Sequence, residues 1–536
     1  MKKLFLTLLL PLVGAVSLSI NAQVYSSGIA TFEERMAAGK YAASNRVLIL
    51  KNSDIPDRPE KLTFPPLKYD APVPNQYRVQ LKSGPVVYIV PDHERPLVNV
   101  TVYVRTGKYL EPAGKEGLAE LTGWLLTHGG AGTNSAAQLE ERVAFLGAQL
   151  ESSIGDNQGS VGLNLLSKDV DAGLGLLRDV LYAPRFQDDK IALRKQQTLQ
   201  AMKQRNDDSS AIEDREVDFL AHGENFWANR FSTSNSLDSI TALDIEKFHY
   251  AWFWPSNFVV AITGDFERDA MIAKLEKLFA GGPENVPMDH LVAGGTPPPI
   301  PTNIVFAAPG LYLVNKPDVD QGRVSLMLPG IQRGNPDYYA VVIMNNILGG
   351  GGFTSHLMNR IRSDEGLAYS VYSSFSPGVY YPNTFTIGFQ SKSRTVAYAC
   401  AIALEETKRM SAEPVSEAEL NLSKKSIIEG FPNFFNTKEK IAEQFAMDEF
   451  TRRYAKEPQF WQNFRANLQA VTDQDVLRVA KKYLTPDKFV VLVVGNQADI
   501  LLGYPTHPVD LKTLFGSFHE WPLRDPMTMQ PLTPAK

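Results

Sequence analysis

Two segments of the chain repeat one another. The first, from Leu243, reads LDIEKFHYAWFWPSNFVVAITGDFE, and the second, from Gln474, reads QDVLRVAKKYLTPDKFVVLVVGNQADI. In each, an amphipathic helical stretch is stopped by proline, and an apolar strand ending in glycine follows. Pro486 follows Pro255, and Gly495 follows Gly264, by the same 231 residues. The repeat constrains the fold to two homologous halves, each ending in such a helix and strand. Upstream of the anchors, strand patterns at 86–90, 97–107, 149–153 and 159–166 are matched by others at 311–315, 322–330, 368–375 and 383–390. Helical stretches lie between them: around Gly117 to Leu126 and a long one from Lys168 in the first half, and from Pro336 to Ile347, up to Ser363 and from Thr395 in the second. The pattern predicts an α+β fold of two halves, each an antiparallel sheet with helices packed on one face, joined by a linker into a clam-shell.

The expected division is a signal peptide at 1–22, an extended N-terminal leader at 23–72, a first domain at 73–280, a linker at 281–305 containing the run PPPIP, a second domain at 306–515 and a loosely ordered C-terminal tail at 516–536. Lys2 and Lys3, the apolar run from Leu4 to Val16 and the small Ala22 predict export, with the periplasm as destination. No later apolar run is long enough to span a bilayer, so no membrane span is expected after cleavage. Hydrophobic residues at 44% and charged residues at 21% suit globular cores. The net charge of -5 gives no electrostatic reason for nucleic acid as a partner. Cys400 is the only cysteine, so no internal disulfide can form.

The run PDHERPLVNVTVYVRTG, followed by KEGLAELTGWLL, resembles the first half of the insulinase (pitrilysin) family of zinc peptidases. The later run LGGGGFTSHLMNRIRSDEGLAYSVYSSF is similar to that family's second half, and the likeness covers about Asp57 to Phe515. The resemblance implies an inverted zinc motif, H-x-x-E-H, on the helix after the second strand: two imidazoles one turn apart, a glutamate base, and a distant third carboxylate ligand. The matching positions here are Glu120, Gly123 and Trp124, with Ala201 at the third-ligand position, so all four functional side chains are absent. These are degenerate positions rather than ligands. No metal and no cofactor is expected in this chain. No two of the eight histidines are spaced to rebuild the site, and His128, at the helix end, is read as a cap on backbone carbonyls.

The family also carries an arginine and a tyrosine seven residues apart in the second half, and RSDEGLAY supplies them as Arg362 and Tyr369. A guanidinium can donate to the carbonyls of an extended peptide, and a phenol can donate to an oxyanion. On spacing alone, Arg362 could equally be a helix-end cation and Tyr369 an ordinary strand aromatic. Gly349, Gly350, Gly351 and Gly352 are read either as a flexible loop that touches substrate or as a plain helix connection. The resemblance thus implies a subunit of a heteromeric zinc metallopeptidase, inactive alone. A homologous partner bearing the zinc motif would supply metal and base, and peptides or unfolded segments would be the substrate. The alternatives are a non-catalytic scaffold and a peptide-binding module of the same family.

Overall fold

The computed structural model describes residues 58, 61–63, 68–283 and 296–532, so the expected signal peptide, most of the leader and part of the linker lie outside the described residues. Contacts between Cα atoms divide the chain after Lys68, and the unit from Tyr69 onward is built from two sheets and their helices.

The first sheet holds β1 (Arg78–Gln80), β2 (Val86–Pro91), β3 (Leu97–Val104), β4 (Gln149–Ile154), β5 (Gly159–Leu166) and β6 (Phe258–Gly264), in the order β1-β2-β6-β3-β5-β4. The second holds β7 (Gly310–Asn315), β8 (Gln321–Pro329), β9 (Ala368–Ser374), β10 (Thr384–Lys392), β11 (Val490–Gly495) and β12 (Phe518–Glu520), in the order β12-β7-β11-β8-β10-β9. The repeated apolar strands β6 and β11 occupy equivalent central places. Each is antiparallel to one neighbour, β3 or β8, and parallel to the other, β2 or β7. The sheets are therefore mixed, where alternation alone suggests purely antiparallel ones. A long connection between β2 and β6, or β7 and β11, lets the chain re-enter in the same direction, which a hairpin cannot do.

The helices that position the sites are α1 (Leu118–His128), α2 (Val170–Tyr182), α3 (Asp188–Lys203), α4 (Ser209–His222), α5 (Ala242–Trp252), α6 (Tyr338–Asn345), α7 (Val396–Ala412), α8 (Lys438–Phe450) and α9 (Asp473–Tyr483). The single long helix predicted from Lys168 is two, α2 and α3, separated at Ala183 and Pro184, where proline cannot continue the hydrogen-bond ladder. The sequence pattern predicts helices on one face of each sheet, but the second face is covered too, by a helix of the other half. From the second half, α8 lies on β2 and β6, and α4 of the first half lies on β8 and β11. Strand alternation shows why. Val87 and Ile89 enter the first half's own core, while Tyr88 and Val90 point the other way into the core of the second. Phe445 of α8 meets the Tyr88 ring at 6.0 Å, and Glu449 accepts hydrogen bonds from the Tyr88 hydroxyl at 3.1 Å and Arg78 Nε at 3.0 Å.

From residue 517 to residue 532 the tail is held rather than loose. β12 extends the second sheet parallel to β7. Trp521 Nε1 and Arg524 Nε donate to Glu216 Oε2 of α4 at 2.8 and 3.2 Å, and Arg215 Nε donates to Glu216 Oε1 at 3.0 Å. Glu216 is fully buried, and a buried carboxylate without such partners would be strongly destabilising.

Candidate functional site

Arg362 sits in the final turn of a π-helical segment, Met358–Asp364, with Gly366 two residues beyond its end. Gly366 has φ +63, in the left-handed region that favours glycine, and its N–H donates to the Arg362 carbonyl at 3.1 Å. The chain then enters β9, an outer strand of the second sheet, so Tyr369 follows Arg362 after one tight reversal. The reversal brings the two predicted residues together. The Arg362 guanidinium lies 4.4 Å from the Tyr369 ring centre and 4.7 Å from that of Phe353, between the two rings. Tyr369 is 84% exposed and Phe353 is 65% exposed. Among the described residues no carboxylate forms an ion pair with Arg362, so its donors are not spent inside the chain. Tyr369 also lines a cleft of about 550 Å³ whose floor carries Glu213 from α4 and Arg323 from β8. Glu213 accepts a hydrogen bond from Ser325 at 2.7 Å, and burial raises its pKa.

The glycine run lies in a connection between helices. Asn346–Gly350 is a π-helical turn continuing α6, and Gly352 alone of the four has a positive φ, at +62. Gly349 is buried against β9: a Cβ there would stand 2.4 Å from the Ser373 backbone nitrogen. Its small size lets the turn seat the strand that carries Tyr369, a role that a mere count of glycines does not reveal. Phe353 belongs to the site as well, although its one signal in the sequence is its position directly after the run.

Three of the four degenerate zinc positions, Glu120, Gly123 and Trp124, lie on α1, which packs against the edge strand β4. At Gly123 the approach is close: a Cβ would stand 2.4 Å from Ile154 N and 2.9 Å from the Ser153 carbonyl carbon. Ser152 Oγ donates to the Gly123 carbonyl at 2.6 Å, fixing the helix there. Glu120 accepts from Arg194 Nη2 of α3 at 2.9 Å, and the same guanidinium lies 5.4 Å from the Trp124 ring centre. Trp124 stacks on His128 at 4.3 Å, and His128 Nδ1 is 2.9 Å from the Trp124 carbonyl oxygen one turn back in the helix. Ala201 lies seven residues along α3 from Arg194, two turns further, and is exposed.

These residues do not suit a zinc ion. The carboxylate at 120 is paired with a cation, Gly123 has no room for a side chain, and the other two positions matched to ligands carry an indole and a methyl group. Among the described residues no three His, Cys, Asp or Glu side chains are grouped so as to hold a metal. Arg194 has no signal in the sequence, because its link to Glu120 spans 74 residues and no local pattern marks it.

Two family models match the chain in succession. The one described as Insulinase (Peptidase family M16) matches residues 86–222, and the one described as Peptidase M16 inactive domain matches 239–427. The chain belongs to the insulinase family. Among curated relatives, an uncharacterized zinc protease of Mycobacterium tuberculosis is 27% identical over 279 residues, which are 52% of this chain and 61% of that protein. A non-peptidase homolog of Helicobacter pylori is 26% identical over 362 residues, 65% of this chain and 78% of the homolog. The chain spans about three fifths of the length of the first of these relatives. A crystal structure of a peptidase M16 inactive domain from Pseudomonas fluorescens superposes with a TM-score of 0.68 at 23% identity, covering 78% of this chain and 97% of that one, and so shares the fold. Among the described residues no helix is long and apolar enough to cross a membrane.

Proposed function

We propose that this insulinase-family chain is the exported, non-zinc subunit of a two-chain metallopeptidase, working in the periplasm on peptides or unfolded segments. A homologous partner supplies zinc, base and attacking water. This chain supplies Arg362, Tyr369 and part of the chamber wall.

The observation that carries the reading is the geometry of the pair. Arg362, at the end of the π-helical segment, and Tyr369, on an outer strand, face one another at 4.4 Å, one with unspent donors and the other with an exposed hydroxyl. A peptide laid along β9 would bring its backbone carbonyls past both. The guanidinium fork then holds carbonyl oxygens before and during reaction, and the phenol donates to the oxyanion as it forms. Sandwiching between Phe353 and Tyr369 holds the guanidinium in place, which limits the rotamer entropy lost on binding. The Arg194–Glu120 pair and the packed Gly123 support placing the metal chemistry on another chain.

Co-purification from the native envelope, followed by peptidase assays of each chain and of the mixture, tests the proposal. Activity that requires both chains is the expected result. Equal activity of the zinc-bearing chain with and without this subunit would refute it and leave a scaffold.

A further inference from the structure

We infer that a second cleft, between the two halves around Arg105, Arg452 and Lys456, binds a small polyanion carrying several negative charges on phosphate or carboxylate oxygens. Neither α1 nor the Arg362–Tyr369 pair lines this cleft, so the inference stands apart from the proposed peptidase role.

The cleft measures about 470 Å³. Arg105 reaches it from the end of β3, Arg452 from the turn that follows α8, and Lys456 from the short helix Arg453–Lys456. Among the described residues that line it there is no carboxylate. None of the three cations forms an ion pair with a described residue. Glu449, close by on α8, is committed to Arg78 at 3.0 and 3.1 Å and to the Tyr88 hydroxyl at 3.1 Å.

Arg105 is half-buried, and its Nη2 reaches only the Glu449 and Phe450 carbonyls, each at 3.5 Å. Burial, and then the like charge of Arg452, push its pKa down. A half-buried cation beside a second cation, offset in part by Glu449 and with no carboxylate on the described lining, is an unfavourable arrangement that a bound oxyanion relieves. Arg452 is one of three non-glycine residues with positive φ among the described residues, at +62. Such a conformation costs energy, and it aims a charged side chain into the cleft. Tyr109 and Tyr380 add two phenols, both raised in pKa by burial, Tyr109 to about 12, so each keeps its proton as a donor to an anion. Guanidinium forks match carboxylate and phosphate oxygens two at a time, which suits a compact multivalent anion.

The test is calorimetric titration of the purified full chain with sodium tripolyphosphate and, separately, with citrate. The expected result is one saturable ion per chain, bound more weakly as salt is raised, with the tighter of the two ions assigning phosphate or carboxylate chemistry. Arg452→Asn, which tolerates the left-handed backbone, and Lys456→Gln should each weaken binding by about tenfold, as loss of one charge-assisted contact does. Lys481→Gln, an exposed charge elsewhere, should leave binding unchanged, and none of the three should lower the melting temperature. No saturable binding of either anion at millimolar concentration would overturn the inference. So would undiminished binding in the Arg452→Asn/Lys456→Gln double variant.

Discussion

The family resemblance matches Gly123 to the catalytic glutamate, and the structure makes a signed prediction about filling that position. A methyl group there would stand 2.4 Å from Ile154 N and 2.9 Å from the Ser153 carbonyl carbon, both backbone atoms that cannot turn aside. Overpacking of this kind costs about 1 to 3 kcal/mol, and backbone obstacles place it at the upper end. If α1 retreats to relieve the clash, the 2.6 Å hydrogen bond from Ser152 Oγ is lost as well, at about 1 kcal/mol. Helix propensity opposes these terms by about 1 kcal/mol, because alanine is the better helix former. Gly123→Ala should therefore lose about 3 kcal/mol, a figure built from those three contributions. Gly175 in α2 is the control, since a Cβ there meets nothing within 4 Å. Gly175→Ala should gain about 1 kcal/mol. The same chemical change thus has opposite signs at two helical glycines. Urea unfolding of the two variants and the parent, followed by tryptophan fluorescence, measures both. A Gly123→Ala protein as stable as Gly175→Ala would show that α1 does not rest on β4 there, and would remove the steric argument against a base at that position.

Restoring the motif with Glu120→His, Gly123→Glu, Trp124→His and Ala201→Glu together should fail to give stoichiometric zinc, because the glutamate at 123 has no space; metal analysis after refolding with zinc decides it, and one tightly held zinc per chain would contradict the packing described. In a reconstituted complex, Tyr369→Phe should lower turnover by about a hundredfold or more with peptide affinity nearly constant. Arg362→Ala should weaken affinity as well, by about tenfold or more, and unchanged kinetics in both variants with an intact assembly would return the pair to structural roles. Arg524→Ala removes one of two arginines from fully buried Glu216 and should cost about 3 kcal/mol, seen as a lowered urea midpoint. His249 in α5 is fully buried, donates from Nε2 to the Leu181 carbonyl at 2.9 Å and is pushed down to about 4 by desolvation. The unfolded chain takes up that proton near pH 6.5, so the contribution is complete above 6.5 and is lost as pH falls towards 4, on the order of 3 kcal/mol. Glu111, raised by burial to about 7, acts in the opposite sense, its ionisation costing stability as pH rises from about 4.5 to 7. The acid sensitivity of His249→Gln should therefore be compared with that of the parent at each pH, and equal loss in the two proteins would remove His249 as a cause.

Periodicity and repetition are local properties, and the sequence by itself determined what depends on them. Apolar alternation marks β2, β3, β7 and β8, and the proline and glycine spacing marks α5 with β6 and α9 with β11. The absence of the zinc motif at Glu120, Gly123 and Trp124 is equally plain, as is the spacing of Arg362 and Tyr369. The short outer strands β1 and β12 escaped, since three residues carry too little pattern to stand out. Only the tertiary structure decided that α4 and α8 exchange places between the halves. A nearly continuous apolar run such as that of β6 shows that both its faces are buried, but not which helix covers each. Tertiary structure also decided that Arg362 lies between Phe353 and Tyr369, that Arg194 answers Glu120, and that three cations share one cleft with no acid along its described lining. Those contacts join residues up to hundreds of positions apart in the chain, where the governing quantity is distance in space and no spacing in sequence encodes it.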